Sequence, residues 1–260
     1  MSDRLHDRVT YRVDDRVAHI SLDRPERLNA FDGPMYEGVN DALERFDADE
    51  SAWVAIIEAS SDRSFSAGAD VKALNEKAAG GDFTALGGLK LDTEMVTDKP
   101  LIAAVHGHCV GEGVNLVLSC DMIFADSTAR FAISEVRIGT NPVDIPLKLA
   151  RRLPYALAFS FLTPGDAKDA AWMQAAGLAQ ATAPGQARAE AAAFARRIVS
   201  ECGPLAVRAQ KATLWQASFA DEAEARTLGN ERRATIRRSA DYAEGRTAFL
   251  EKRSPRFQGR

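Results

Sequence analysis

At 260 residues and 46% hydrophobic, the chain can bury a sizeable core and fits one large domain, or one with an appendage. A formal charge of −4 leaves no basic footprint for nucleic acid, and no apolar run approaches the length of a membrane span. Three cysteines without metal-site spacing suit a reducing compartment, and the polar start from Met1 to Asp7 has no signal-peptide core, so the expected location is cytoplasmic.

Residues 9–13 and 17–22 alternate apolar and polar around Asp14-Asp15, which predicts a hairpin. Apolar residues at Met35, Val39, Ala42, Leu43 and Phe46 predict an amphipathic helix. Residues 53–58 read as a buried strand. Residues 73–92, rich in glycine, alanine and charge without a clear period, read as a mobile region. A buried strand over 101–105, a core helix over 114–119 and a short strand over 122–125 follow, with Cys109 and Cys120 as small core residues. Strand and helix alternate, so the first two-thirds is α/β.

After Pro142 the pattern turns helical. Helices are predicted over 144–153, 155–162 and 166–176, the last stopped by Gly177. An alanine-rich helix spans 185–202, and Pro204 suits the first residue of another that runs to Ala217. Two more, over 221–238 and 242–253, finish the chain. The pairs Arg232-Arg233 and Arg237-Arg238 read as solvated helix faces.

Two segments carry chemistry. Phe65-Ser66-Ala67-Gly68-Ala69-Asp70 and Gly111-Glu112-Gly113-Val114-Asn115 each sit where a strand-like run gives way to small residues and then to a helical pattern. Such a turn exposes backbone N–H groups that no intrahelical carbonyl accepts. Alone, either is an ordinary glycine-rich turn. Brought together, the two supply a pair of donors for a carbonyl oxygen that becomes an enolate. His106 and His108 lack further clustered ligands, so no metal is expected, and no dinucleotide or phosphate loop is present.

With Leu22-Asp23-Arg24-Pro25-Glu26-Arg27-Leu28-Asn29-Ala30, Lys99-Pro100-Leu101-Ile102-Ala103-Ala104-Val105-His106-Gly107, Ser119-Cys120-Asp121, Ser134-Glu135-Val136-Arg137-Ile138-Gly139 and Phe249-Leu250-Glu251-Lys252-Arg253, these segments follow a family's order and spacing. In them the chain resembles the crotonase superfamily, the enoyl-CoA hydratase/isomerase family, nearly end to end. The resemblance implies an α/β spiral of ββα units over residues 1–200, holding the CoA and active sites. A helical region over 201–260 would mediate assembly into a homotrimer or a dimer of trimers. Exposed apolar positions at Leu214, Trp215, Phe219 and Leu228 point the same way.

The resemblance also implies site roles. The oxyanion donors fall at the backbone N–H of Ala67 and of Glu112, where most relatives have glycine at the second position. CoA, as part of an acyl-CoA substrate and with no separate cofactor, would meet Arg27, Leu28, Ala67, Ala69, Asp70, Val71, Phe249 and Lys252. Of these, Asp70 reads more as an anchor of its turn. Of the two catalytic carboxylate positions, Glu135 is kept, but the other is Asn115. An amide orients water but cannot accept a proton at neutral pH. Moving a double bond from C3 to C2 needs one base, and Glu135, among apolar Phe131, Ile133, Val136 and Ile138, has the type for it. The expected activity is therefore single-base enoyl-CoA isomerisation. Hydration of an unusual substrate and a catalytically silent acyl-CoA-binding protein are the alternatives. Asp144, one residue beyond an aspartate used by some relatives such as dienoyl-CoA isomerases and an aryl-CoA dehalogenase, is either a second catalytic acid or an N-cap before Pro146.

Overall fold

The computed structural model describes residues 3–82, 85–138, 140–219, 238–251 and 253–260, with 224, 227, 228, 231, 232, 235 and 236 between them. Strands β1 (Asp3–Leu5), β2 (Val9–Asp14) and β3 (Val17–Leu22) form an antiparallel edge. Asp15 and Arg16 both take positive φ, 44° and 63°, as a two-residue turn matched to strand twist requires. Helix α1 (Gly33–Ala48) starts where Asp32 accepts the Met35 N–H at 3.0 Å, and its buried face is Met35, Val39, Ala42, Leu43 and Phe46, as the periodicity predicts.

The chain then repeats one unit. In each, a first strand joins the large sheet, a second joins a smaller one, and a helical segment follows. The first is β4 (Val54–Ala59), β5 (Ser64–Ser66) and α2 (Val71–Ala79). The next is β6 (Leu101–Val105), β7 (His108–Val110) and α3 (Glu112–Leu118). The third is β8 (Met122–Asp126), β9 (Arg130–Ala132), a 3-10 turn at Glu135–Ile138 and α4 (Asp144–Ala150). After α5 (Tyr155–Leu162) come β10 (Lys168–Asp169), α6 (Ala170–Ala175), β11 (Gln180–Thr182), α7 (Ala187–Glu201), α8 (Pro204–Phe219) and α9 (Ala240–Glu251). Among the described residues the large sheet runs β1-β2-β3-β4-β6-β8-β11, and the small one runs β10-β9-β7-β5. From β3 onward the large sheet is parallel, as are β9, β7 and β5. This is the α/β spiral of ββα units.

The main core joins one face of the large sheet to α1, α3 and the small sheet, and takes in Cys109 and Cys120. On the other face Ala187, Ala191 and Ala195 of α7 lie against Ile56, Ile102, Ala104 and Phe124. At the far end the buried Asp241 carboxylate accepts the Gln258 and Gly259 N–H groups, each at 2.7 Å.

Two expectations need correction. Residues 73–92 hold part of α2 and a 3-10 turn at Lys90–Asp92, with Asp70 supplying the N-cap. The helix over 166–176 shrinks to Ala170–Ala175, because Lys168 and Asp169 pair with Phe131 and Arg130. The helix over 221–238 falls largely outside the described residues, as do Arg233 and Arg237.

Candidate active site

The small sheet sets the site. Its parallel strands β5, β7 and β9 end side by side, and each delivers one piece: the turn before α2, the turn into α3, and Glu135. Gly111 N–H donates to Ala132 O at 2.9 Å, so the second and third ends are stitched together. Gly68, at φ 90°, lies where a Cβ would come 3.0 Å from Val110 O, and a Cβ on Gly113 would meet that of Ser66 at 2.9 Å. Glycine is what lets the turns approach this closely.

A count of donors in the first turn shows which one is free. Leu28 and Asn29 sit at φ 52° and 55°. The fully buried Asn29 holds that bend, donating to Ser64 O and Phe65 O at 3.2 and 3.1 Å and accepting the Arg24 N–H at 2.8 Å. The bend presents Leu28 O to the Ala67 N–H at 2.9 Å. Gly68 N–H reaches Ser66 Oγ at 3.2 Å, and Asp70 N–H reaches Phe31 O at 2.9 Å. Among the described residues of this run, Ala69 keeps a backbone N–H without an acceptor. The expected donor, Ala67, is therefore occupied, and the open one lies two residues on. Asp70 is the anchor anticipated: it accepts from Lys72 and Ala73 N–H and from Arg24 Nη1 at 2.8 Å. Despite burial, the Ala73 amide and Arg24 hold its carboxyl below the usual range.

In the second turn Gly111 adopts φ 47° and ψ −109° and precedes α3, whose first residue is Glu112. No helical carbonyl can accept the N–H of a first-turn residue. A Cβ on Gly111 would sit 2.7 Å from Glu135 Oε1, so the glycine leaves room for that carboxyl. Glu135 Oε2 is buried and has no hydrogen-bond partner among the described residues. Burial pushes the Glu135 carboxyl up from its ordinary value. Phe131 and Ile133 are fully buried, but Val136 is exposed; the Ile138 side chain lies outside the described residues.

Asn115, where the resemblance implies a carboxylate, has its amide fully engaged. Its Nδ2 donates to Glu112 Oε1 at 2.9 Å and Asp92 Oδ1 at 3.0 Å, while Oδ1 accepts from Lys148 Nζ at 2.7 Å. Both amide hydrogens are engaged, and the oxygen holds an ammonium. Lys148, buried with Asp92, also donates to Asp92 Oδ1 and Ser119 Oγ, each at 2.6 Å. The Tyr36 hydroxyl faces the Glu112 carboxyl. Burial first, then Asp92, raises the Glu112 carboxyl, against Asn115, Lys148 and Tyr36. Glu112 therefore turns its side chain along the α3 face shared with Asn115, three residues on.

Asp144 is the first residue of α4, not its N-cap, which is Val143. Its carboxyl is raised by burial and by Asp92, with Lys148 opposing. Of the CoA candidates, Arg27 and Val71 are exposed, and Leu28, Ala67 and Ala69 are half-buried. The Phe249 side chain and Lys252 lie outside the described residues. Tyr36, Asp92 and Lys148 were not singled out from the sequence. The signal for Lys148 was there: it shares the buried face of α4 with Ile145 and Leu149, a core position for a charged residue.

The model of the enoyl-CoA hydratase/isomerase family matches residues 12–260. The chain is 34% identical over 257 residues to a probable enoyl-CoA hydratase of Rhizobium meliloti, covering 94% of this chain and 95% of that one. It is 32% identical over 253 residues to the 2,3-dehydroadipyl-CoA hydratase of Escherichia coli, covering 94% and 96%. Its fold matches the crystal structure of an enoyl-CoA hydratase from Mycobacterium tuberculosis with a TM-score of 0.85 at 30% identity, over 97% of this chain and 99% of that one. The chain belongs to the enoyl-CoA hydratase/isomerase family, the crotonase superfamily, and is an enzyme of that class.

Proposed function

We propose that the chain moves protons on an enoyl-CoA thioester, with Glu135 as the base at the α-carbon and the N–H groups of Ala69 and Glu112 holding the enolate oxygen. One observation carries this reading: the Glu135 carboxyl stands at the turn that precedes the Glu112 N–H, with Oε1 2.7 Å from where a Cβ on Gly111 would lie and Oε2 buried without a partner among the described residues. The net reaction it favours is a shift of the double bond from C3 to C2. Glu135 takes a proton from C2, the electron pair moves onto the thioester oxygen, and the same carboxyl returns the proton at C4. A carboxyl raised by burial suits both halves, since it gives back what it takes. Hydration is a second reading, favoured by the names of the relatives, which are hydratases.

CoA would lie along Arg27, Leu28, Ala69 and Val71, with Phe249 and Lys252 as further contacts. Assembly into trimers is supported by apolar side chains left in solvent, with Leu214 70% and Tyr155 83% exposed. The unpaired cysteines suit a reducing, cytoplasmic setting. The decisive experiment offers 3-hexenoyl-CoA to the wild type and to Glu135→Gln and follows both double-bond movement and solvent deuterium at C2. Turnover and exchange in the wild type, lost in the variant, support the reading. A folded wild type that binds the thioester and exchanges no proton would make it a silent acyl-CoA-binding protein.

A further inference from the structure

We propose that the Glu112 side chain is a second proton-transfer group of this site, held in place by Asn115, which acts as a positioning residue. The proposal rests on the proton-transfer reading above and extends it from one carboxyl to two. Asn115 stands where the family places a carboxylate, and its own amide is saturated by Lys148, Asp92 and Glu112. What the amide does with one of its two hydrogens is grip Glu112 Oε1 at 2.9 Å. A carboxyl missing at one position of α3 is thus supplied from one helical turn earlier. Lys148 fixes which end of the amide faces Glu112, because its ammonium takes the oxygen end. Tyr36 approaches the same carboxyl from α1.

A second carboxyl adds a chemistry that Glu135 alone performs poorly. With Glu112 ionised and Glu135 protonated, a water adds to C3 of a 2-enoyl thioester. The C3–O bond forms as the water gives a proton to Glu112, and the C2=C3 pair moves toward the thioester oxygen. Glu135 then delivers its proton to C2, leaving 3-hydroxyacyl-CoA, an ionised Glu135 and a protonated Glu112. Proton exchange with solvent restores the starting state.

The test uses the full chain and two probes, hydration of crotonyl-CoA and isomerisation of 3-hexenoyl-CoA, read as a ratio. In Glu112→Gln, which keeps the backbone N–H, hydration should fall about 10²–10⁴-fold and the hydration-to-isomerisation ratio by at least about tenfold. If that variant does not fold, Glu112→Asp, which withdraws the carboxyl by one methylene, is read the same way. In Asn115→Leu the hydration kcat should fall about tenfold or more while KM for crotonyl-CoA stays within about twofold, a split that general loosening of the fold would not give. A ratio in the Glu112 variant within about twofold of wild type overturns the proposal. So does a wild type that isomerises but does not hydrate, and in that case the Glu135 reading survives. A wild type inert on both probes overturns both.

Discussion

Two sides of one site are finished in opposite ways. On the β9 side, Glu135 has a buried oxygen with no partner among the described residues. On the α3–α4 side, every polar atom of the Asn115 amide is taken, and Lys148 finds acceptors on Asp92, Asn115 and Ser119. An unfilled polar atom raises free energy until substrate or a proton satisfies it, so it suits transfer. A saturated cluster is expensive to rearrange, so it suits holding its members, the Glu112 carboxyl among them, in one place. Both sides hold carboxyls, one with an open oxygen and one gripped by an amide.

The largest effect should come from removing the unfilled group. Glu135→Gln is expected to lower isomerisation and α-carbon exchange about 10²–10⁴-fold, with unchanged circular dichroism. A near-normal rate would move the proton carrier to Asp144. Next comes an attack on the saturated side. Lys148→Met strips the buried Asp92 of its ion partner, and loss of one partner of a buried pair costs about 3–5 kcal/mol. Urea denaturation checks this, and a loss under about 1 kcal/mol would mean that water reaches the cluster and that it is not the rigid side.

A milder probe is pH. Isomerisation needs ionised Glu135, and burial lifts its pKa above the ordinary 4.5. The rate should therefore climb with rising pH through a midpoint above 4.5, and a midpoint at or below that value would argue against a desolvated base. The smallest expected effect lies at the first turn. Asp70→Ala removes an N-cap worth about 1 kcal/mol and one of the partners of Arg24, which Asp32 and Ala30 O still hold, and should lower stability slightly and weaken thioester binding more than turnover. Equal losses in KM and kcat would place Asp70 nearer the reacting atoms than the hydrogen bonds do.

The longer large-sheet strands and most helices announced themselves in the sequence, α1 by its period and residues 101–105 as an unbroken apolar run, whereas the three-residue β1 and β11 and helix α2 did not. The small sheet did not. Its strands are two or three residues long, too short for alternation to register, yet they bring the three site pieces together. Nor was it legible that the Ala67 N–H is taken by Leu28 O. Which amide is left over depends on the left-handed bend at Leu28 and Asn29, a tertiary contact some forty residues away in the chain. The contacts of Asn115 were not legible, because its partners Asp92 and Lys148 come from separate segments.

The glycine-cut meeting of strand ends has a consequence for how such a site can change over generations. Donors made of main chain survive almost any exchange of side chain at residues 69 and 112; only proline deletes an amide hydrogen outright. Inheritance can therefore explore the side chain at 112 without losing that amide hydrogen. Position 115 can drift in turn once a neighbour on the same helical face presents a carboxyl. What must be kept is small and geometric: Gly68, Gly111 and Gly113, whose missing side chains allow the close approach. Chemistry is then free to migrate along α3 by one helical turn while the fold around it stays still.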